Sequence, residues 1–259
     1  MRVALSIAGS DPTGGAGLQL DLQVFRAHGL HGAGVPTALT VQDSTRVHQV
    51  LPVFPSVVLA QLRRLLADVR PAVVKIGMLA SDDVVHSVAL ALSGMDESIP
   101  WVLDPVLAAS DGTPLLERRA WGTLAGLFPR ATLVTPNRPE ASELSGQDAS
   151  SDAGTERAAR ALLEHGARAV LVKGGHRAGA PRDLLARAAG GGARLDWLEG
   201  ERHDVGPVHG TGCALSAAVA SALADGAELG EAVRRGRAFV AAAIARAERV
   251  GRGARFLAF

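Results

Sequence analysis

The stretch Val3-Ala4-Leu5-Ser6-Ile7-Ala8-Gly9-Ser10-Asp11-Pro12-Thr13-Gly14-Gly15-Ala16-Gly17 holds the plan of the fold in miniature. Val3–Ala8 is a short apolar run of strand length, the glycines and polar residues after it make a turn, and Gly17–His28 has helical periodicity. Strand, glycine-rich turn and helix in succession open a parallel α/β unit. The turn is a near miss for two phosphate loops. A Walker loop needs Lys and then Ser or Thr where Gly15 and Ala16 stand, and the dinucleotide fingerprint needs a Gly-x-Gly-x-x-Gly spacing that is missing here. The glycines therefore suit close backbone approach to a small ligand, against the simpler reading of a flexible connection.

Working outward, the same alternation runs through the chain. Gly34–Thr40, Val73–Ile76, Trp101–Leu103, Leu133–Thr135 and Ala169–Val172 read as further strands. Ser56–Val69, Asp82–Leu92, Arg118–Phe128 and Glu156–His165 read as helices between them. Near-continuous apolar strands separated by helices predict an α/β fold with a mainly parallel sheet covered on both faces. Asp183–Leu198 differs, with two short runs around Gly190–Gly192 that predict an edge hairpin. Two last helices are expected over Gly212–Ala224 and Leu229–Arg249. No linker, repeat or low-complexity tract cuts the chain, so one domain over residues 1–259 is expected.

Composition narrows the function. A net charge of +1 gives no electrostatic reason to expect nucleic acid, and the single cysteine excludes an internal disulfide or a cysteine metal cluster. The apolar run at the N-terminus is too short for a signal peptide, and the helical apolar stretch Ala214–Ala224 is too short for a bilayer. A soluble cytoplasmic protein without membrane partners is expected.

Ligands of parallel sheets collect at the carboxyl ends of the strands, and polar or glycine residues fall there six times. These are Gly9-Ser10-Asp11, Gln42-Asp43, Gly77-Met78, Asp104-Pro105, Pro136-Asn137 and Lys173-Gly174-Gly175-His176. The most informative stretch is Val208-His209-Gly210-Thr211-Gly212-Cys213-Ala214-Leu215-Ser216, a glycine-broken turn running into a helix. Glycines and a helix start let several N–H groups converge on an anion, and the helix field is expected to favour the Cys213 thiolate. Anion hole plus ionisable side chain suits phosphoryl transfer; a helix cap with a small buried Cys is the plain alternative. Asp104 and Glu140 are the carboxylates best placed for magnesium, although Glu140 could equally cap its helix. Lys173, ahead of two glycines, could reach a phosphate or simply be solvated. The eight histidines lack metal-ligand spacing, and Arg234, Arg235, Arg237, Arg246, Arg249, Arg252 and Arg255 read as a solvated helix face and tail.

Taken together, these segments resemble the hydroxymethylpyrimidine and phosphomethylpyrimidine kinases of thiamine biosynthesis, within the ribokinase-like superfamily. The resemblance rests on Ala8–Gln19 with Asp21, Thr37–Gln42, Lys75–Leu79, Leu103–Val106, Thr135–Asn137 with Glu140, Val172–His176 and His209–Cys213, in family order. It implies a three-layer α/β/α fold, ATP with Mg2+, and a homodimer. It also implies a pyrimidine pocket of Gly9, Asp21, Gln42, Met78 and Val106, with Gln42 reading the aminopyrimidine edge. By the same resemblance Asp104 and Glu140 organise magnesium, Asn137 and Lys173 meet the nucleotide, Gly210, Thr211 and Gly212 hold the transferring group, and Cys213 stands where many relatives carry an aspartate base. The chain departs from the family pattern at Asp43, at Ala108–Gly112, at Gly206-Pro207-Val208, at Ala214 and in the tail Gly251–Phe256. Pyridoxal or pyridoxine kinase is the nearest alternative function. A non-catalytic pyrimidine-binding regulator is a more distant one, disfavoured by intact Asp104, Glu140, Lys173 and Cys213.

Overall fold

Short apolar runs bounded by turn residues become the strands of one central sheet in the computed structural model, which describes residues 1–175 and 180–259. The first half of the chain gives β1 (Val3–Ser10), α1 (Gly17–Ala27), β2 (His31–Gln42), β3 (Val47–Pro52), α2 (Pro55–Asp68), β4 (Val73–Ile76), α3 (Asp82–Leu92), β5 (Trp101–Leu103) and α4 (Trp121–Ala125). The second half gives β6 (Leu133–Val134), α5 (Arg138–Ser145), α6 (Asp152–Glu164), β7 (Ala169–Val172), β8 (Arg182–Ala189), β9 (Gly192–Glu199), β10 (Val208–His209), α7 (Thr211–Ala224), α8 (Leu229–Ala245) and β11 (Arg255–Phe256).

The nine-stranded sheet runs β3-β2-β1-β4-β5-β6-β7-β8-β9, and β10 and β11 form a separate small pair. The six strands from β2 to β7 pair in parallel, while β3, β8 and β9 are antiparallel additions at the two edges. The chain leaves β1 first for β2 on one side and later for β4 on the other. That reversal opens a crevice at the carboxyl ends of these strands.

Alternation along each strand divides the core in two. Leu5, Ile7, Val74, Ile76, Leu103 and Val170 pack with α2, α3, α4 and α6 on one face. Ala4, Val73, Val102, Leu133 and Leu171 pack with α1, α7 and α8 on the other. Helix α7 is apolar almost all round, with every residue from Ala214 to Ala222 buried, and its small side chains let it lie between α1 and α8. Among the described residues no helix is long and apolar enough to cross a membrane.

The expected elements Val73–Ile76, Trp101–Leu103, Asp82–Leu92 and Ala169–Val172 are found with those bounds, and the edge hairpin is β8–β9. Three differences have physical causes. Strand β3 was not foreseen: it is an exposed antiparallel edge ending in Pro52, and such a strand needs no continuous apolar run. The helix expected over Arg118–Phe128 is broken into a 3-10 turn, the short α4 and a second 3-10 turn, with Gly126 capping α4 and Pro129 opening the last turn. Helix α8 stops at Ala245 rather than Arg249, because Glu248 leaves the helix to bridge Phe256.

Candidate active site

The alternation that builds the core also places polar side chains under α7. Following the phase of Ala4, Val73, Val102 and Leu171 leads to Ser6 in β1, Lys75 in β4, and Asp104 and Lys173 just after β5 and β7. Lys75 is fully buried, and its Nζ donates to Asp21 Oδ2 of α1 at 2.8 Å. Ser6 Oγ donates to the same oxygen at 2.6 Å, while Asp21 Oδ1 has no hydrogen-bond partner among the described residues. Burial alone would depress the Lys75 ammonium, but Asp21, with smaller help from Cys213 and Asp104, holds it above the usual lysine range. Asp104 accepts from Lys173 Nζ at 2.6 Å and Thr135 Oγ1 at 3.0 Å on one oxygen, and from Ser216 Oγ at 3.2 Å on the other.

Gly210 opens α7 in the left-handed region at φ 75°. A Cβ there would lie 1.9 Å from Gly15 O and 2.6 Å from Leu20 Cδ2, so only glycine fits. The N–H groups of the helix's first turn have no intrahelical acceptor and face the cavity that Gly210, Thr211, Gly212 and Cys213 line. Lys173 comes to the same place: a Cβ on Gly212 would sit 3.2 Å from its Nζ. Burial would depress Lys173, but Asp104 and Glu140 outweigh it and keep the ammonium charged. A positive anion site at a helix N-terminus results.

Cys213 corrects the expectation of a favoured thiolate. Removal from water pushes the thiol up; Lys75 pulls it back; Asp104 and Asp21 push it up again; the Gly17 N–H bond lowers it slightly. The net direction is upward. Burial beside two carboxylates outweighs the Lys75 ammonium and the Gly17 N–H.

Glu140 is the N3 residue of a capping box on α5. Asn137 Oδ1 accepts from Glu140 N at 2.8 Å and Glu140 Oε2 accepts from Asn137 N at 2.7 Å. Burial raises its carboxyl to about 7 against the pull of Lys173, with Asp104 adding to the rise. Both carboxylates line the cavity. Among the described residues no group of three or more His, Cys, Asp and Glu side chains forms a metal cage. Two carboxylates already answered by protein donors fit a magnesium ion that keeps its waters and phosphate ligands, rather than a protein-built cage.

The cavity has a volume of about 700 Å³, enough for a small acceptor together with a nucleotide. Gly9, Gln42, Met78, Val106, Asn137 and Lys173 all line it. Met78 presses so close that a Cβ on Gly9 would meet its Sδ at 2.6 Å. Asp21 departs from its expected place. Its buried carboxylate is not part of the cavity wall and is spent on Lys75 and Ser6 one layer behind it.

At the rim, Gln42 belongs to a cluster that sequence reading did not assemble. His209 Nε2 donates to Asp11 Oδ2 at 2.8 Å, Gln42 Nε2 donates to the same oxygen at 3.4 Å, and Thr40 Oγ1 donates to Gln42 Oε1 at 3.1 Å. Burial raises Asp11, but bonds from His209 and Thr13 outweigh it and leave the carboxyl below its ordinary value. Lys75, Ser216, Thr135, Asp11 and His209 are the site residues to which no individual role had been given. The phase of Lys75 and Thr135 within their strands was the available signal. Arg237 also leaves the expected solvated face: it donates to Asp183 Oδ2 at 2.8 Å and to the Leu198 carbonyl at 2.8 Å, tying α8 to the hairpin. His176 lies outside the described residues.

Fold and site together define a kinase of the ribokinase-like fold. Two solved structures align closely. The ADP complex of Bacillus subtilis pyridoxal kinase has a TM-score of 0.89 at 31% identity, covering 99% of this chain and 97% of that one. Phosphomethylpyrimidine kinase from Clostridium difficile has a TM-score of 0.80 at 33% identity, covering 94% and 100%. The hydroxymethylpyrimidine/phosphomethylpyrimidine kinase of Streptomyces coelicolor is 40% identical over 243 residues, 93% of this chain and 88% of the relative. The family model for phosphomethylpyrimidine kinase matches residues 11–257. The chain belongs to the phosphomethylpyrimidine kinase family and is a phosphotransferase.

Proposed function

We propose that this chain transfers a phosphoryl group from ATP to the hydroxymethyl oxygen of 4-amino-5-hydroxymethyl-2-methylpyrimidine, and then phosphorylates the monophosphate, in thiamine diphosphate biosynthesis. The observation that carries this reading is one cavity holding both a helix-terminal anion site with Lys173 and a wall of Gly9, Gln42, Met78 and Val106. Gln42 offers the donor and acceptor that an aminopyrimidine edge requires. Met78 and Val106 supply apolar faces for the ring.

In this reading the first-turn amides of α7 and the Lys173 ammonium hold the transferring group as its bond to ADP breaks and its bond to the substrate oxygen forms. Asn137 and Lys173 face the nucleotide side. Asp104 and Glu140 would hold magnesium largely through water, and the ion would neutralise phosphate charge. Cys213 takes the hydroxyl proton in its thiolate form, which Lys75 favours and burial opposes. So sparse a base suffices because a loose phosphoryl transition state asks little of the nucleophile. The second transfer starts from an anionic phosphate oxygen and has no such proton to lose.

A homodimer belongs to the same reading. Leu39 and Val41 of β2, Leu51 of β3 and the nearby Phe54 are exposed and offer the apolar face that a second copy would cover. Pyridoxal is the rival acceptor. A panel of both ring alcohols and the pyrimidine monophosphate, with ATP and magnesium, tests the function. The pyrimidine should show the higher kcat/KM, and a preference for pyridoxal would overturn the proposal.

A further inference from the structure

The last ordered strand reaches the rim of the cavity from the far end of the sequence. β11 pairs in parallel with β10, placing Phe256 opposite His209. Arg255 N donates to Pro207 O at 2.8 Å, and Ala254 N donates to Ser44 O at 3.1 Å. Gly253 N donates to Ser44 Oγ at 3.1 Å. One short segment thus bonds both to the chain entering the Gly210 turn and to the turn just after Gln42. Gly253 is required by this approach, since a Cβ there would lie 1.9 Å from Ser44 O.

The Phe256 ring completes the arrangement. Its centroid is 5.9 Å from that of the His209 imidazole. A Cβ on Gly15 would meet His209 Cδ2 at 2.6 Å and the Phe256 ring at 3.3 Å, so the first loop, the imidazole and the tail ring converge at one point. Phe256 does not line the cavity, whereas His209, Asp11 and Gln42 do. The ring packs beside His209, His209 donates to Asp11, and the Gln42 amide nitrogen lies 3.1 Å from His209 Nε2 and 3.4 Å from the Asp11 oxygen it donates to.

We infer that Phe256, carried by the C-terminal strand, is a positioning residue for the acceptor side of the site, setting the Gln42 amide through His209 and Asp11. The inference rests on the proposed role of Gln42 in reading the acceptor ring. A displacement of about 1 Å in a positioned group can lower turnover roughly 100-fold, so losing the ring should be visible in kinetics.

The test measures steady-state constants for the hydroxymethylpyrimidine and for ATP separately, in wild type, Phe256→Ala, Phe256→Leu, His209→Ala and the Phe256→Ala/His209→Ala double variant, with melting curves for each. Phe256→Ala should raise KM for the pyrimidine roughly 10-fold or more, with KM for ATP within about twofold of wild type. Phe256→Leu should recover part of the loss. The double variant should match His209→Ala alone, because both changes break one chain of contacts. Phe259→Ala, which removes a tail ring stacked on Phe239, serves as a control and should leave both constants unchanged. If Phe256→Ala does not fold, the split between the two KM values in Phe256→Leu decides. Equal effects on both substrates, an unchanged pyrimidine KM, or additive losses in the double variant would overturn the inference while leaving the kinase reading intact. A wild type that does not phosphorylate the pyrimidine would overturn both.

Discussion

The floor of the cavity and its rim are assembled by different means. The floor is made of residues in or just after the strands: Ser6, Lys75, Asp104, Thr135 and Lys173 continue the alternation of one face of the sheet. They are paired with one another, with Asp21 and with Ser216 before any ligand arrives. The rim joins segments distant in sequence, with Asp11 and His209 separated by 198 positions and Ser44 and Gly253 by 209. His209 and Gln42 keep partial contact with solvent, whereas Asp11 between them is buried. A floor made this way should couple chemistry to global stability, whereas a rim made this way should set the acceptor with a smaller effect on stability.

The largest effect should come from opening the buried pair. Lys75→Met leaves Asp21 buried without its main partner, so that its carboxyl, already raised by burial, must take up a proton or stay unpaired; either should cost about 3–5 kcal/mol in the unfolding free energy. His209→Ala at the rim takes one donor from the buried Asp11, which keeps its bonds from Thr13 and Gln42, and should cost about 1–2 kcal/mol in the same denaturant titration. Comparable losses would erase the distinction between floor and rim.

Cys213→Ala comes next. It should lower kcat on the hydroxymethyl substrate roughly 10²–10⁴-fold, with a much smaller loss on the monophosphate. The thiol is pushed above its ordinary value, and the base must be deprotonated to act, so wild-type kcat on the alcohol should climb between about pH 7 and 9. A stopped assay across that range should give a flat profile for Cys213→Ala. Parallel profiles would assign Cys213 to the anion site instead of to proton transfer.

Glu140 gives a smaller effect of opposite sign. Its folded carboxyl, at about 7 against an ordinary 4.5, binds its proton more tightly than in the unfolded chain. The associated stability is therefore fully present below about pH 4.5 and is lost as pH rises towards 7. Glu140→Gln keeps an acceptor for the capping box and removes the buried charge. It should be more stable than wild type by about 1–3 kcal/mol at pH 8, with the difference vanishing near pH 5. Its magnesium-dependent turnover should fall at the same time. Melting temperatures at the two pH values settle the sign.

The ends of the strands were legible in the sequence, while the buried part of the floor and the joining of the rim were not. Asp104 and Lys173 stand at the ends of short apolar runs, where parallel sheets expose their ligands, and the glycines at 210 and 212 announce a helix start. Lys75 was hidden because a single lysine inside Val73–Ile76 reads as an interruption of a core strand, until its phase is matched to Asp104 and Lys173. Asp21 could be placed near the site but not on the correct side of the wall, since only the fold brings α1 beneath Cys213. Nothing local marks Phe256 or Ser44 as neighbours of Gln42, and β3 has no apolar signature of its own. Contacts made across most of the chain leave no periodicity to read.

The division of labour is tested most directly by acceptor discrimination, the ratio of kcat/KM for the hydroxymethylpyrimidine to that for pyridoxal, in wild type, Gln42→Leu and Cys213→Ala. Gln42→Leu should collapse the ratio by roughly 100-fold or more, because a buried polar edge is left unpaired. Cys213→Ala should lower both efficiencies while holding the ratio within about threefold of wild type. An unchanged ratio in Gln42→Leu, or an equal collapse in Cys213→Ala, would contradict a floor that runs the chemistry beneath a rim that chooses the substrate.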